Sequence, residues 1–137
     1  MFSLNKKRTI LFGKERGLNL LELLIVVVII GILATLAIPN YARQREEAVE
    51  KEAEANLKLI QAAERIFRLE RGSFTNCTNS ADCNRVLRLS LPTSNWGYNV
   101  ISADQNNFWA RAQRTNNANK IFCINAAQEQ IQKSNCP

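Results

Sequence analysis

Residues 14–41 read KERGLNLLELLIVVVIIGILATLAIPNY, and one residue among them, Glu22, decides how the chain is to be read. From Leu20 to Ile38 only Glu22 and Thr35 are clearly polar. As a helix, this stretch covers about 28 Å at ~1.5 Å per residue, close to the hydrocarbon thickness of a bilayer. No alternation of apolar and polar residues suggests a strand. A charge at bilayer depth costs about 2.5–3.5 kcal/mol on insertion scales, so an ionisable residue there points to function by default. A plain signal anchor leaves Glu22 without a purpose. A secretory signal peptide cut after Thr35-Leu36-Ala37 fits poorly: the apolar run is too long, Glu22 interrupts its start, and Pro39 lies just beyond the cut.

The 137 residues are at most one domain's worth of chain, with a formal charge of +6 that is unevenly spread. Residues 1–17 hold Lys6, Lys7, Arg8, Lys14 and Arg16 against Glu15, a net +4, which leaves +2 for the remainder. The basic excess is therefore weak support for nucleic-acid binding. Its better use is topological, because basic residues flanking a span keep that end cytoplasmic. The expected orientation is N-terminus in, C-terminus out.

Pro39 is expected to kink the helix rather than end it, since it lacks one donor but good helix formers follow. Val49, Ala53, Leu57, Ile60, Ala63 and Phe67 recur at spacings of three and four, one face of a helix. Leu59, Ala62, Ile66 and Leu69 widen that face, so the outer end is expected to be covered by a head domain. Glu47 and Lys51 are placed for an i,i+4 pair. Gly72, after Arg71, is a natural helix stop.

From about residue 72 the composition turns to loop and sheet. TNCTNSADCN (75–84) is turn-rich and expected to be irregular. RVLRLSL (85–91) suits a short helix or a strand. Trp96–Ser102, Asn107–Arg114 and Lys120–Asn125 read as antiparallel strands joined through DQNN and TNNAN. The tail AAQEQIQKSNCP is polar and expected to be briefly helical at most. The fold class is therefore α+β: one long kinked N-terminal helix packed on a small antiparallel sheet. The segments are 1–17, a basic leader; 18–39, a membrane helix; 40–71, an amphipathic helix; and 72–137, the head.

Outside the cytoplasm, Cys77, Cys83, Cys123 and Cys136 are expected to form disulfides. Three pairings are possible. Cys77–Cys83 with Cys123–Cys136 is favoured, each closing a short loop and contributing about 2–3 kcal/mol in the chain-entropy model. A four-cysteine zinc site would want C-x2–4-C hairpins, and a redox pair C-x-x-C; neither spacing occurs. The sequence has no histidine, no P-loop and no dinucleotide fingerprint, so neither an enzyme nor a bound cofactor or metal is expected. Arg65, Arg68, Arg71, Arg85, Arg88, Arg111 and Arg114 form the candidate basic stripe for nucleic acid. The simpler reading pairs the helical arginines with Glu64 and Glu70. Asn76-Cys77-Thr78 matches a glycosylation sequon weakly, because its middle residue is a candidate disulfide cysteine.

Residues 14–41 resemble the N-terminal segment of type IV pilins and type II secretion pseudopilins. The leader ends in Gly17, and a mature chain starting at Leu18 has its glutamate fifth at Glu22, a small residue fourteenth at Gly31 and its proline twenty-second at Pro39. RIFRLERGSFTN is similar to the family's passage from helix to loop. The resemblance is close over residues 14–75 and extends to the head only in layout. It implies cleavage between Gly17 and Leu18 by a prepilin peptidase, N-methylation of Leu18, residence in the inner membrane, and polymerisation driven by a cytoplasmic ATPase and a platform protein. It gives Glu22 a partner, the amine of Leu18 in a neighbouring subunit. It also has Gly31 and Pro39 bracket the stretch where the helix loosens on assembly. Leu18 replaces the family's usual phenylalanine, and nothing in the resemblance accounts for Asn19.

Three functions follow: a type IV pilin whose partner is itself in a helical homopolymer at the cell surface; a pseudopilin of a secretion machine; or a DNA-uptake or adhesin pilin whose head binds a ligand. Family pseudopilins of the major type usually lack disulfides and often bind calcium. Cys123 and Cys136, with only Asp82, Asp104 and Glu129 as head carboxylates, therefore lean towards a pilin.

Overall fold

A computed structural model describes residue 17, residues 19–134 and residue 136. The leader through residue 16, and Leu18, lie outside the described residues. Two units make up the chain, Met1–Tyr41 and Ala42–Pro137.

The described part of the first unit is helical. Helix α1 is assigned over Leu20–Arg71, with Pro39 inside it. Its first hydrogen bonds run from the Glu22 and Leu23 amides to the Asn19 carbonyl, at 2.9 and 3.1 Å. Asn19 thus stands at the N-cap, where asparagine is among the preferred residues.

In the second unit, residues 42–71 of α1 turn Ala53, Leu57 and Ile60 inward with no solvent exposure, and Val49, Ala63 and Phe67 pack at the margin of the core. The helix ends where expected. Gly72 takes φ +84 and donates its amide to the Arg68 carbonyl at 2.8 Å, a left-handed stop that a β-carbon would strain. A short helix α2 covers Ser80–Val86.

Four strands follow: β1, Trp96–Ala103; β2, Phe108–Arg114; β3, Asn117–Asn125; and β4, Gln132–Lys133. They form an antiparallel meander in the order β1-β2-β3-β4. Trp96, Tyr98 and Val100 in β1 and Phe108, Ala110 and Ala112 in β2 alternate into the core, as period-2 strands require, while β3 buries Phe122, Cys123 and Ile124 in succession. Asp104 makes the first hairpin: its side chain accepts from the Asn106 and Asn107 amides at 2.6 and 2.7 Å. The helix is tied to the sheet by polar bonds as well as packing. Trp96 Nε1 donates to the Val49 carbonyl at 2.8 Å, Asn56 Nδ2 to the Tyr98 hydroxyl at 2.8 Å, and Gln61 Nε2 to the carbonyls of Asn125 and Gln128.

Four local expectations need correction, and the open choice for residues 85–91 is decided. Residues 80–84 are helical rather than irregular, because Asn79 Oδ1 caps the Asp82 amide at 2.9 Å. The 85–91 run finishes that helix and turns, burying Leu87 and Leu91 without forming a strand. The tail adds β4 instead of a helix. Glu47 pairs backwards with Arg43 at 3.6 Å, not forwards with Lys51. Leu59, Ala62, Ile66 and Leu69 do not widen the buried face; they are exposed, because Gln61 and Glu64 occupy the head side of those turns.

Candidate functional site

Leu20–Ile38 presents its large apolar side chains to the outside, with 47–80% of each accessible. Of the described residues, only α1 contains a stretch long and apolar enough to cross a membrane. Nineteen residues of such surface are stable only in lipid or against other apolar helices. Within the segment Thr35 is satisfied locally, its Oγ1 donating to the Ile32 carbonyl at 2.6 Å. A β-carbon on Gly31 would meet nothing within 4 Å, so packing inside the chain does not demand glycine there. Pro39 does not end the helix. Glu22 stands in the first turn, three residues after the N-cap, where a carboxylate also suits the helix dipole. Leu18, its implied partner, lies outside the described residues.

In the head, Cys77 is bonded to Cys83 and Cys123 to Cys136. No group of three or more metal-ligating side chains occurs among the described residues. Five of the seven arginines of the candidate basic stripe make contacts within the second unit. Arg114 Nη2 meets Glu46 at 3.2 Å and its guanidinium lies over Trp96. Arg111 Nε reaches Asn99, Arg85 pairs with Asp82 at 2.7 Å, Arg68 stacks on Phe74, and Arg65 donates to the Ala126 carbonyl. Contrary to expectation, no arginine among the described residues pairs with Glu64 or Glu70. Glu64 is fully buried, and Oε2 accepts from the Thr75 amide at 3.0 Å while Oε1 has no partner among the described residues. Burial pushes its carboxyl up to about 7, against the smaller opposing effect of the Thr75 bond.

A ladder of ion pairs that sequence reasoning missed joins α1 to the edge of the sheet. Lys120 contacts Glu46 at 2.7 Å and Glu50 at 2.6 Å; Lys133 contacts Glu50 at 3.0 Å and Glu54 at 3.3 Å. The signal was present as glutamates spaced by four at residues 46, 50 and 54, one row of a helix. Hydrogen bonds from Lys120 hold the Glu46 and Glu50 carboxyls below the usual range, and the same bonds raise the Lys120 ammonium.

An exposed apolar helix on a small disulfide-bonded α+β head defines a pilin-like protein. The comparisons with known proteins agree. The chain is similar to the type IV major pilin protein PilA of Myxococcus xanthus, 41% identical over 66 residues, covering 48% of this chain and 30% of PilA. It is also similar to the type II secretion system core protein G of Escherichia coli, 33% identical over 86 residues, covering 63% of this chain and 59% of that protein. The core protein G of Vibrio cholerae is 35% identical over 57 residues, which are 42% of this chain and 39% of the relative. In each case the match spans less than two thirds of the relative. No family model matches the chain. Its homologues are thus a type IV pilin and type II secretion pseudopilins, structural proteins rather than enzymes, consistent with the type IV pilin and pseudopilin family.

Proposed function

We propose that the chain is the structural subunit of a type IV pilus-like filament, made as an inner-membrane precursor with its N-terminus in and its head out. A prepilin peptidase cuts between Gly17 and Leu18 and methylates Leu18. An assembly platform and its ATPase then polymerise the subunit into a cell-surface or periplasmic filament. The observation that carries this reading is the uncovered apolar surface of Leu20–Ile38 with one carboxylate, Glu22, at its head.

In a filament core, Glu22 meets the amine of Leu18 in the next subunit. A buried ion pair adds little net stability, yet a charge left unpaired costs about 3–5 kcal/mol, so the correct stagger wins over wrong ones. Packing of Leu20–Ile38 supplies most of the cohesion, and Gly31 and Pro39 bracket the stretch where the helix can loosen. The head then covers the filament.

The test is the N-terminus of the protein made in its own host, read by mass spectrometry. A chain starting at Leu18 with one added methyl is expected. An intact Met1, or a start near Ile38, refutes the reading. A second reading, a pseudopilin of a type II secretion system, is favoured by the matches to core protein G. The Cys77–Cys83 and Cys123–Cys136 bridges weigh towards a pilin. Loss of enzyme secretion without loss of surface filaments, on deletion of the gene, would favour the second.

A further inference from the structure

On the face of the sheet opposite the core, the first two strands carry a polar groove. Period-2 alternation sends Trp96, Tyr98, Ala110 and Ala112 inward, so Gly97, Asn99, Arg111 and Gln113 share the outer face. The register sets Gly97 opposite Gln113 and Asn99 opposite Arg111. The loop before α2 adds a wall through Thr78 and Asn79, and the turn after β2 adds Thr115. The groove has a volume of about 510 Å³, within the range of small-molecule sites.

Two of its residues have no account inside the chain. Gly97 is not in the left-handed region, and a β-carbon there would meet only the Gln113 carbonyl oxygen at 3.9 Å, an ordinary contact. Neither conformation nor packing demands glycine, although glycine inside a strand weakens it. Its missing side chain leaves bare backbone at the floor of the groove, where a ligand can approach closely. Arg111 is the second. Its Nε donates to Asn99 Oδ1 at 3.3 Å, which orients the guanidinium and leaves both terminal nitrogens as donors. Arg111 meets no carboxylate among the described residues, and none lines the groove. Arg114, by contrast, is engaged with Glu46 and Trp96.

We infer that this groove binds an acidic saccharide, with Arg111 on its carboxylate and the amide and hydroxyl side chains on its ring hydroxyls. The lining argues for this class. The Asn99 and Gln113 amides and the Thr115 hydroxyl donate and accept, as neighbouring sugar hydroxyls do. Gln113 Nε2 donates to the Ala118 carbonyl at 3.0 Å, which fixes the amide and leaves Oε1 to accept. A guanidinium matches a carboxylate through two parallel bonds. A nucleic-acid backbone would want a track of cations, and with Arg114 engaged the groove offers Arg111. An apolar ligand would leave the polar lining unpaired. An open polar groove holds one saccharide weakly, but in a filament it repeats, and many weak contacts act together on a polymer of such sugars. The site stands whether or not the chain forms filaments.

The test titrates the full-length, isotope-labelled chain in detergent with an oligomer of galacturonic acid and follows its amide resonances. Shifts concentrated at Gly97, Asn99, Gln113 and Thr115 are expected. Gly97→Val fills the groove at a strand position with room for the side chain, so it should abolish those shifts and keep the rest of the spectrum. Arg111→Gln reads the same site if Gly97→Val fails to fold. It should weaken binding about tenfold and erase the preference over a neutral galactose oligomer. No shifts at all, or shifts that persist in a folded Gly97→Val, overturn the site. Equal binding of the galactose oligomer by the natural chain overturns the acidic class. Tighter binding of single-stranded DNA at the same residues overturns the saccharide in favour of nucleic acid. Each of these results leaves the filament reading intact, because that reading is tested at the processed N-terminus.

Discussion

Glu64 and Glu22 are both carboxylates on α1, and their surroundings make them opposites. Glu64 is enclosed by the head, one oxygen has no partner among the described residues, and its carboxyl is raised to about 7. An acid whose folded value exceeds its unfolded one binds its proton more tightly in the folded state. That contribution is complete below about pH 4.5 and is lost as pH rises through 7. Shifts of this size correspond to roughly 3 kcal/mol at pH 8. Glu64→Gln keeps an acceptor for the Thr75 amide and has no charge to bury. We expect it to unfold at higher urea than the natural chain at pH 8 and at nearly the same urea at pH 4, followed by near-ultraviolet circular dichroism in detergent. Equal midpoints at pH 8 would mean that the carboxylate is solvated after all. Glu22 stands in the first turn of the helix, and its implied partner Leu18 lies outside the described residues. Glu22→Gln preserves helix initiation while removing the charge, and Glu22→Ala removes both. If pairing across subunits sets the register, both variants remain inserted and helical but give few filaments. If only helix initiation matters, Gln assembles normally. The sequence exposed Glu22, because a charge in an apolar run violates a strong rule. It concealed Glu64, because a glutamate among helical charges looks like surface until the sheet closes over it.

At the scale of elements, legibility followed the length of the periodic signal. The apolar run and the Val49–Phe67 face extend over many turns, and β1 and β2 alternate in burial over most of their eight and seven residues. These survive local exceptions. Helix α2 has seven residues, too short for periodicity to register, and rests instead on contacts. Asn79 caps it, the Ser80 hydroxyl accepts from the Tyr98 amide at 2.8 Å, and the Asn84 side chain bonds the Leu91 backbone in both directions. The Asn-x-x-Asp pattern at residues 79–82 was the available clue, obscured by turn-forming neighbours. Replacing the cap tests this account. Asn79→Ala should cost about 1 kcal/mol and loosen α2 before the sheet. Hydrogen exchange should then quicken at the Asp82 and Cys83 amides with little change in β2. Unchanged exchange there would show that the Cys77–Cys83 bridge alone holds the turn. The misread stripe has a different cause. Periodicity reports that a face is apolar but not which body covers it, and the two apolar faces of residues 48–69 were merged into one.

Across the head as a whole, stability rests on a modest core closed by covalent and ionic ties at its margins. Strand β4 has only two residues and pairs only through Phe122↔Lys133 and Cys123↔Gln132. Pairing this short does not persist alone. Three contacts hold it: the Cys123–Cys136 bridge, the Ser134 amide on the Ile121 carbonyl at 2.9 Å, and Lys133 on Glu50 and Glu54. The ion pairs are partly exposed and contribute little by themselves. The bridge closes a loop with a sequence separation of 13, a constraint of about 3 kcal/mol in the chain-entropy model. Removing it should therefore free the tail first and leave the helix–sheet core standing. For Cys123→Ser/Cys136→Ser we expect a loss of about 3 kcal/mol in denaturant unfolding. Exchange should rise sharply at Lys133 and Ser134 while the amides shared by β1 and β2 stay protected. Equal loss of protection in β1 would place the bridge at the centre of the head's cooperativity, and the view of it as a marginal staple would fail.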